Sequence, residues 1–257
     1  MAYIEINDVS KVYQRDGEPF HALSHVSLEI ERGEFICLLG PSGCGKTTLL
    51  NTLAGFEHPD EGRVLIGGEV VTEPVPNRVT IFQHYGLLPW QTVEKNVMLG
   101  LLAKKVPKEE ARAIASKYID LVGLSGFEHV RPAQLSGGMQ QRVSIARGLA
   151  VQPDVLFMDE PFAALDAITR LKMQGDIHRI AEEEGVTVVF VTHDIEEAVA
   201  LADRIVVLTP NPGQVKEVVK VELGPDRLRT ADDFLAVRDH VFDVFGMKPN
   251  WNVEYVI

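Results

Sequence analysis

Several short stretches of the chain are apolar at every position, and they predict strands that are buried on both faces of a sheet. The first is Phe35–Leu39, and later ones are residues 155–158 and 186–191, with 205–208 adding a further strand. Runs of this kind are typical of a mainly parallel sheet covered on both sides. Ligands of such sheets bind beyond the carboxyl ends of the strands, so we expect the polar residues after these runs to share one crevice.

The beginning of the chain has a different pattern. Residues 3–9 and 21–30 alternate loosely between apolar and polar positions, and residues 16–19 read as a turn between them. This pattern predicts antiparallel strands. A second hairpin is expected at Gly67 and Gly68, which separate two further strand-like segments.

Helical periodicity replaces the strands between about residues 87 and 150. Its clearest case consists of Ala111, Ile114, Ala115, Tyr118, Ile119 and Val122. This spacing places one apolar face on a helix, and we expect a helical insert in the α/β core. Residues 210–213 then break the pattern, and helical spacing returns at Phe234, Val237, Val241 and Val244. We therefore expect a C-terminal lobe, serving either as packing or as a regulatory element.

Composition excludes several classes of protein. The 257 residues are 46% hydrophobic and 24% charged, which predicts one folded domain, with or without an appended lobe. The net charge of −12, without any basic run, argues against nucleic acid as a partner. The two cysteines, Cys37 and Cys44, lack the spacing of a zinc site or a disulfide framework. No signal sequence or long apolar run appears, so we expect a cytosolic chain that spans no membrane.

Residues 40–47 match the eight-position phosphate-loop pattern, with an apolar strand before them and a predicted helix after them. The alternative is a glycine-rich turn without function. In the loop, backbone N–H groups surround the phosphates, Lys46 meets the β- and γ-phosphates, and Thr47 meets Mg²⁺. Cys44 is either a passive small residue or an oxidation-sensitive one. The expected nucleotide-binding residues are Gly40, Pro41, Ser42, Gly43, Cys44, Gly45, Lys46, Thr47 and Thr48.

Two adjacent carboxylates, Asp159 and Glu160, follow the second buried run. We expect Asp159 to hold Mg²⁺ through water and Glu160 to direct the attacking water. The alternative is an acidic helix cap before Pro161. His193 follows the third run, where it either faces the same crevice or is a solvated turn residue.

Residues 135–142, Leu-Ser-Gly-Gly-Met-Gln-Gln-Arg, resemble the signature motif of ABC ATPases. The phosphate loop, the signature, the carboxylate pair and His193 occur in the order found in that family, and the resemblance spans about residues 3–210. It implies an α/β fold: an ABC-type P-loop ATPase core with a mixed sheet, N-terminal antiparallel strands and a helical subdomain. The expected division is an ATPase domain at 1–210, with the helical subdomain at about 87–150, and a C-terminal lobe at 211–257.

The resemblance also implies roles for single residues. Tyr13 would stack on adenine, Gln83 would sense Mg²⁺ and the membrane partner, and His193 would contact the γ-phosphate. The alternatives are a surface aromatic residue for Tyr13 and an ordinary polar loop residue for Gln83. The implied catalytic residues are thus Glu160, His193 and Gln83, and the implied metal residues are Thr47, Gln83 and Asp159.

By the same resemblance the active unit is a two-fold dimer of ATPase chains enclosing two ATP molecules. Ser136, Gly137 and Gly138 would complete the site of the opposite subunit, since the glycines expose backbone donors just before a helix spanning 139–150. Asp166 would lie in the D-loop. Two residues depart from the commonest family pattern, Met139 in the signature and Ala163 after the carboxylates, which bears on details of subunit crosstalk.

Residues 82–97 and 159–166 resemble the nitrate, sulfonate and taurine importer branch in particular. In that branch, apolar residues such as Leu87, Leu88 and Trp90 receive a coupling helix of the membrane subunit; packing within the helical insert is the alternative. The implied function is the ATP-hydrolysing subunit of an importer, peripheral on the cytoplasmic face of the inner membrane. Its partners would be permease subunits, a second copy of itself and, indirectly, a solute-binding protein. Alternatives are an exporter cassette, a non-transport ABC ATPase and a nucleotide-sensing module; the solute stays open.

Overall fold

The structure, a computed structural model, describes residues 2–15, 17–224 and 227–246. In chain order, the strands of this part are β1 (Ile4–Arg15), β2 (Glu18–Ile30), β3 (Phe35–Leu39), β4 (Glu61–Ile66), β5 (Glu69–Val70), β6 (Arg78–Ile81), β7 (Val155–Asp159), β8 (Thr187–Thr192), β9 (Arg204–Leu208) and β10 (Val215–Lys220). The α-helices are α1 (Lys46–Ala54), α2 (Val93–Ala103), α3 (Lys108–Leu121), α4 (Gly137–Ala150), α5 (Ala167–Glu184), α6 (Ile195–Leu201) and α7 (Asp232–Val244), and a 3-10 helix lies at Pro132–Gln134.

The larger sheet has six strands in the order β10-β9-β3-β8-β7-β6. All neighbouring pairs are parallel except β10 and β9, which makes the sheet mixed. The apolar runs of the sequence correspond to β3, β7, β8 and β9, as predicted. The edge strand β6 was missed, because only Ile81 of its four residues is fully buried and its pattern carries no strong signal.

Side chains of the central strands alternate between two hydrophobic clusters. In β3, Phe35, Cys37 and Leu39 belong to a cluster shared with the helices α2 to α7. Ile36 and Leu38 of the same strand face the opposite cluster, which contains α1 and the smaller sheet. The sheet is therefore covered on both faces, which is the reason why its strands are apolar at every position.

The smaller sheet is antiparallel, in the order β2-β1-β4-β5. Its first hairpin is longer than predicted: Arg15 pairs with Glu18, and Pro19 also belongs to β2 rather than to the turn. Asp16, part of the predicted turn, lies outside the described residues. The predicted turn at Gly67 and Gly68 joins β4 to β5.

Three helices, α2, α3 and α4, pack against one another between β6 and β7 and form the expected helical insert. The predicted apolar stripe lies on α3, where Ala111, Ala115, Tyr118 and Ile119 are buried. These side chains join the larger hydrophobic cluster, so the insert shares its core with one face of the main sheet.

The described chain continues the main sheet beyond residue 210. Strand β10 pairs with β9, and Phe234 and Val241 of α7 are buried in the larger cluster. A separate lobe at 211–257 stays a prediction, and residues 225–226 and 247–257 of it lie outside the described residues. Within the described ranges, no helix combines the length and the apolar character needed to cross a membrane.

Candidate functional site

The carboxyl ends of three parallel strands meet at one edge of the main sheet. Leu39 of β3 is paired with Thr192 of β8, and Asp159 of β7 is paired with Val191. The residues that follow these strands are therefore neighbours. The phosphate loop, the carboxylate pair and His193 converge on this edge, as the apolar runs predicted.

The phosphate loop depends on two glycines in the left-handed region, with φ of 79° at Gly43 and 93° at Gly45. Gly45 precedes α1 and lies against β2: a Cβ on it would be 2.6 Å from the Ala22 carbonyl oxygen. Around the loop, Pro41, Ser42, Gly43 and Thr47 are exposed, Gly45 and Thr48 half-buried, and Gly40, Cys44 and Lys46 buried. An open loop ahead of a helix N-terminus suits an anion.

Lys46 is the first residue of α1 and only 6% of it is exposed. Its Nζ donates hydrogen bonds to the carbonyl oxygens of Gly40, at 2.7 Å, and of Pro41, at 3.0 Å. The loop therefore holds the ammonium group against its own backbone, and phosphate oxygens would compete for these donors. Burial raises the pKa of the Cys44 thiol although Lys46 opposes the shift, which favours the passive role for this cysteine.

The pair formed by Thr47 and Asp159 connects the loop to β7. The Thr47 hydroxyl donates to Oδ2 of Asp159 over 3.0 Å. Burial raises the pKa of Asp159, the Thr47 hydrogen bond lowers it, and the nearby charge of Glu160 raises it. A hydroxyl and a carboxylate oxygen at a phosphate loop are hard ligands, the type that Mg²⁺ takes in nucleotide sites. The donor set therefore fits Mg²⁺.

Glu160 and His193 contact each other directly, with 3.1 Å between Oε1 and Nδ1. Glu160 has a φ of 45°, in the left-handed region that is costly for a non-glycine residue by about 1 kcal/mol. Its backbone N–H donates to the carbonyl of Val191 over 3.0 Å, which fixes the strained conformation between β7 and β8. The side chains stay accessible, at 21% for Glu160 and 64% for His193. This arrangement leaves both groups free to meet a ligand and water.

Tyr13 belongs to the smaller sheet, and Gln83 lies just after the edge strand β6 of the main sheet. Tyr13 is half-buried in β1 opposite Phe20, and the ammonium of Lys11 lies 5.6 Å from its ring centre. Gln83 is exposed and follows β6, whose last residue Ile81 pairs with Met158 just before Asp159.

The signature residues form the start of α4. This helix begins at Gly137 and not after the glycines as predicted, because Ser136 caps it by accepting a hydrogen bond from the Met139 N–H over 3.2 Å. Both glycines are thus in the first turn, where backbone N–H groups have no partner within the helix. A Cβ added to Gly137 would lie closest to the Tyr85 side chain, and one added to Gly138 would lie closest to the Ala164–Leu165 segment.

Asp166 caps α5, since its Oδ1 accepts a hydrogen bond from the Thr169 N–H over 3.0 Å. The side-chain and backbone hydrogen bonds with Thr169 lower the pKa of Asp166. The residue is exposed, next to the turn of Ala163 and Ala164, both also exposed. It is available for contact with another molecule.

Two residues near this site, Arg147 and Glu197, were not predicted from the sequence. Arg147 of α4 donates to the carbonyls of Gly86, at 2.7 Å, and Tyr85, at 3.1 Å, and so ties the segment after Gln83 to the signature helix. Glu197 is buried and accepts a hydrogen bond from Thr192, the residue before His193. The Asp194-x-x-Glu197 spacing is a helix-start signal that was available in the sequence, but it does not predict burial of the glutamate.

Two relatives are similar in sequence over most of this chain. A bicarbonate transport ATP-binding protein of Synechocystis sp. is 45% identical over 249 residues, which cover 94% of this chain and 88% of that protein. A nitrate import ATP-binding protein of Synechococcus elongatus is 43% identical over 232 residues, covering 89% and 85%.

A solved structure of similar fold is a dimeric ATP-binding cassette in a post-hydrolysis state, bound to ADP and phosphate. Its TM-score is 0.79 at 35% identity, and the match covers 86% of this chain and 100% of that one. The sequence model of the family described as ABC transporter matches residues 23–163. This match includes the phosphate loop, the signature and the carboxylate pair. The chain therefore belongs to the ABC transporter family, as one of its ATP-binding and ATP-hydrolysing subunits.

Proposed function

We propose that this chain hydrolyses ATP for an importer of a small solute of the nitrate type. The observation that supports the chemistry is the convergence of Lys46, Asp159, Glu160 and His193 at the ends of three adjacent strands. The import function rests on the relatives whose names specify nitrate import and bicarbonate transport. Both names specify small oxyanions, which we propose as the class of solute.

We propose that the β- and γ-phosphates are bound by residues 40–48, with Lys46 exchanging its carbonyl partners for phosphate oxygens. Thr47 and Asp159 would hold Mg²⁺, and Gln83 would approach it from the neighbouring strand. The bound metal supplies neutralisation of the charge on the β- and γ-phosphate oxygens. Tyr13, in β1 of the smaller sheet, would stack on adenine.

Glu160 and His193 then act on the γ-phosphate. The Glu160 carboxylate orients the attacking water, while His193, 3.1 Å from it, contacts the γ-phosphate oxygens. Backbone strain at Glu160 supports this role, because residues held at positive φ by their neighbours are concentrated at functional sites.

The active unit in this proposal is a two-fold dimer. Ser136, Gly137 and Gly138 point their free backbone donors at the γ-phosphate of the opposite subunit, and Asp166 contacts the partner across the axis. The dimeric form of the similar cassette supports this assembly. Loss of the γ-phosphate contacts after hydrolysis then allows the dimer to open.

Permease subunits are the proposed partners outside the dimer, with a solute-binding protein acting through them. Trp90 is 65% exposed, which favours docking over internal packing, whereas Leu87 and Leu88 are half-buried beside it. The chain would thus be peripheral on the cytoplasmic face of the membrane. We propose that residues 1–210 form the ATPase domain and residues 211–257 a C-terminal lobe.

The chemistry is tested by ATP hydrolysis of the purified wild type and the Glu160→Gln variant, with light scattering in the same ATP and Mg²⁺ buffer. We expect the variant to lose at least about 100-fold in turnover and to accumulate an ATP-dependent dimer. Glu183→Gln is the control, because Glu183 is exposed on α5. Glu197 is buried and is therefore not suitable as a control. Equal turnover of Glu160→Gln and wild type would refute the role of Glu160.

The import function is tested separately in the source cells. We expect deletion of this chain to abolish uptake of isotope-labelled nitrate or bicarbonate, and the wild-type chain, but not Glu160→Gln, to restore it. Normal uptake of both anions in the deletion strain would exclude this solute class while leaving the ATPase assignment intact.

A further inference from the structure

A series of hydrogen bonds, buried except at its outer end, runs from the residue before His193 to residues 227–231, the C-terminal segment that precedes α7. The Thr192 hydroxyl donates to Oε2 of Glu197 over 2.5 Å, and Nε2 of Gln174 donates to Oε1 of the same carboxylate over 2.8 Å. Arg229 in turn donates from Nη2 to Oε1 of Gln174 over 2.7 Å. Four residues from β8, α6, α5 and the segment before α7 are thus joined in series.

Each link in this chain has a fixed direction. Arginine can only donate, so Arg229 requires the amide oxygen of Gln174 to face it, and the amide nitrogen must face Glu197. Both carboxylate oxygens of Glu197 therefore accept. Thr192 uses its proton on Glu197, and its oxygen accepts the Asp194 N–H over 3.0 Å. His193 is consequently held between Thr192 and Asp194, whose positions this series of hydrogen bonds fixes.

Because the inner residues of this series are buried, each of their polar atoms depends on its protein partner. Thr192, Gln174 and Glu197 are 2%, 4% and 5% exposed, so an unpaired polar atom here would have no water to replace its partner. The charged neighbours of Glu197 are Asp194 and Arg170. Arg229 is the accessible end of the chain, with 32% of its side chain exposed, and its Nη1 also lies 3.4 Å from Glu196.

We propose that Gln174, Glu197 and Arg229 are positioning residues for His193, through which the C-terminal segment sets the rate of ATP hydrolysis. This inference rests on the proposed role of His193 at the γ-phosphate. A shift of the C-terminal segment that withdraws Arg229 frees the Gln174 amide to rotate, which loosens Glu197 and the Thr192–Asp194 backbone that carries the imidazole. A misplaced catalytic group lowers turnover without changing nucleotide affinity.

The test uses the full chain and cuts the series at two places, with Gln174→Leu and Arg229→Ala. Gln174→Leu keeps the volume of the side chain and leaves the outer arginine in place. Arg179→Ala is the control: Arg179 lies on α5 like Gln174, its side chain is exposed, and it pairs with Asp176 and Glu183 rather than with Gln174. We expect each cut to lower kcat about fivefold with KM for ATP within about twofold, and the control to keep wild-type kcat.

Two further measurements separate positioning from a general loss of stability. The double variant Gln174→Leu/Arg229→Ala is expected to lose about fivefold, like each single variant, because the residues act in series. Hydrogen exchange of the peptide covering 190–197 is expected to accelerate at least about threefold in both cut variants and not in Arg179→Ala. Three results would overturn the inference: exchange that accelerates less than about threefold in the cut variants, wild-type kcat in both single variants, or a loss of kcat of about 25-fold in the double variant.

His193→Ala distinguishes this inference from the proposed function. An inactive His193→Ala protein together with fully active cut variants refutes only the positioning chain. Wild-type kcat in His193→Ala refutes the catalytic role of His193 and, with it, the premise of the inference. If turnover of the isolated chain is too slow to compare, unchanged exchange at 190–197 is sufficient to overturn it.

Discussion

Replacement of Gly45 by alanine should destabilise the nucleotide-free chain more than the same change at Gly43. Both glycines are in the left-handed region, at φ of 93° and 79°, so both alanines carry a backbone strain of about 1 kcal/mol. They differ in their surroundings. A Cβ at Gly43 has no heavy atom within 4 Å, whereas one at Gly45 lies 2.6 Å from the Ala22 carbonyl oxygen and 2.8 Å from Cδ2 of Leu23.

Ordinary van der Waals contact begins at 3.4 Å, so the Cβ of an alanine at position 45 would be 0.8 Å too close to the Ala22 carbonyl oxygen of β2. Overpacking of this kind costs about 1–3 kcal/mol, which brings the total for Gly45→Ala to about 2–4 kcal/mol against about 1 kcal/mol for Gly43→Ala. Urea unfolding followed by circular dichroism, without nucleotide, measures both values. Equal free energies of unfolding for the two variants would contradict the contact between the loop and β2.

Two further predictions concern residues around the same loop. Gly213→Ala should weaken ATP binding at least about tenfold, because the added Cβ would overlap the Cys44 carbonyl oxygen of the loop. The control, Gly175→Ala, occupies an open position of α5 and should stabilise the fold by about 0.5–1 kcal/mol without changing ATP binding. Calorimetric titration with ATP measures the affinity of both variants. Asp159→Asn should raise the free energy of unfolding of the nucleotide-free chain at neutral pH by about 0.5–2 kcal/mol while removing stabilisation by ATP and Mg²⁺. Burial raises the pKa of Asp159, so the folded state binds more protons than the unfolded state between the ordinary and the raised pKa, and the contribution of this group to stability falls as pH rises through that interval. A wild-type chain that equals Asp159→Asn in stability would show that the buried carboxylate carries no such cost.

Local sequence was sufficient for the elements whose signal lies within a few residues. The apolar runs predicted β3, β7, β8 and β9, because a strand covered on both faces can expose no position to water. The loop at 40–47 was predictable because its residue spacing and its place between a strand and a helix are local features of the sequence. The start of α4 was misplaced by two residues, since Gly137 and Gly138 have low helix propensity and only the cap at Ser136 sets the boundary.

The sequence by itself thus determined the parallel core, the phosphate loop and the residues that end each strand, since strand period and loop chemistry are local properties of the chain. Only the tertiary structure decided what supports them: Gly213 lies against the loop from beyond residue 210, and Arg229 reaches Glu197 through Gln174. These contacts join residues that are 23 to 55 positions apart within the polar chain. A hydrogen bond between distant residues leaves no period or spacing in the sequence, because its geometry exists only after the sheet and helices have packed.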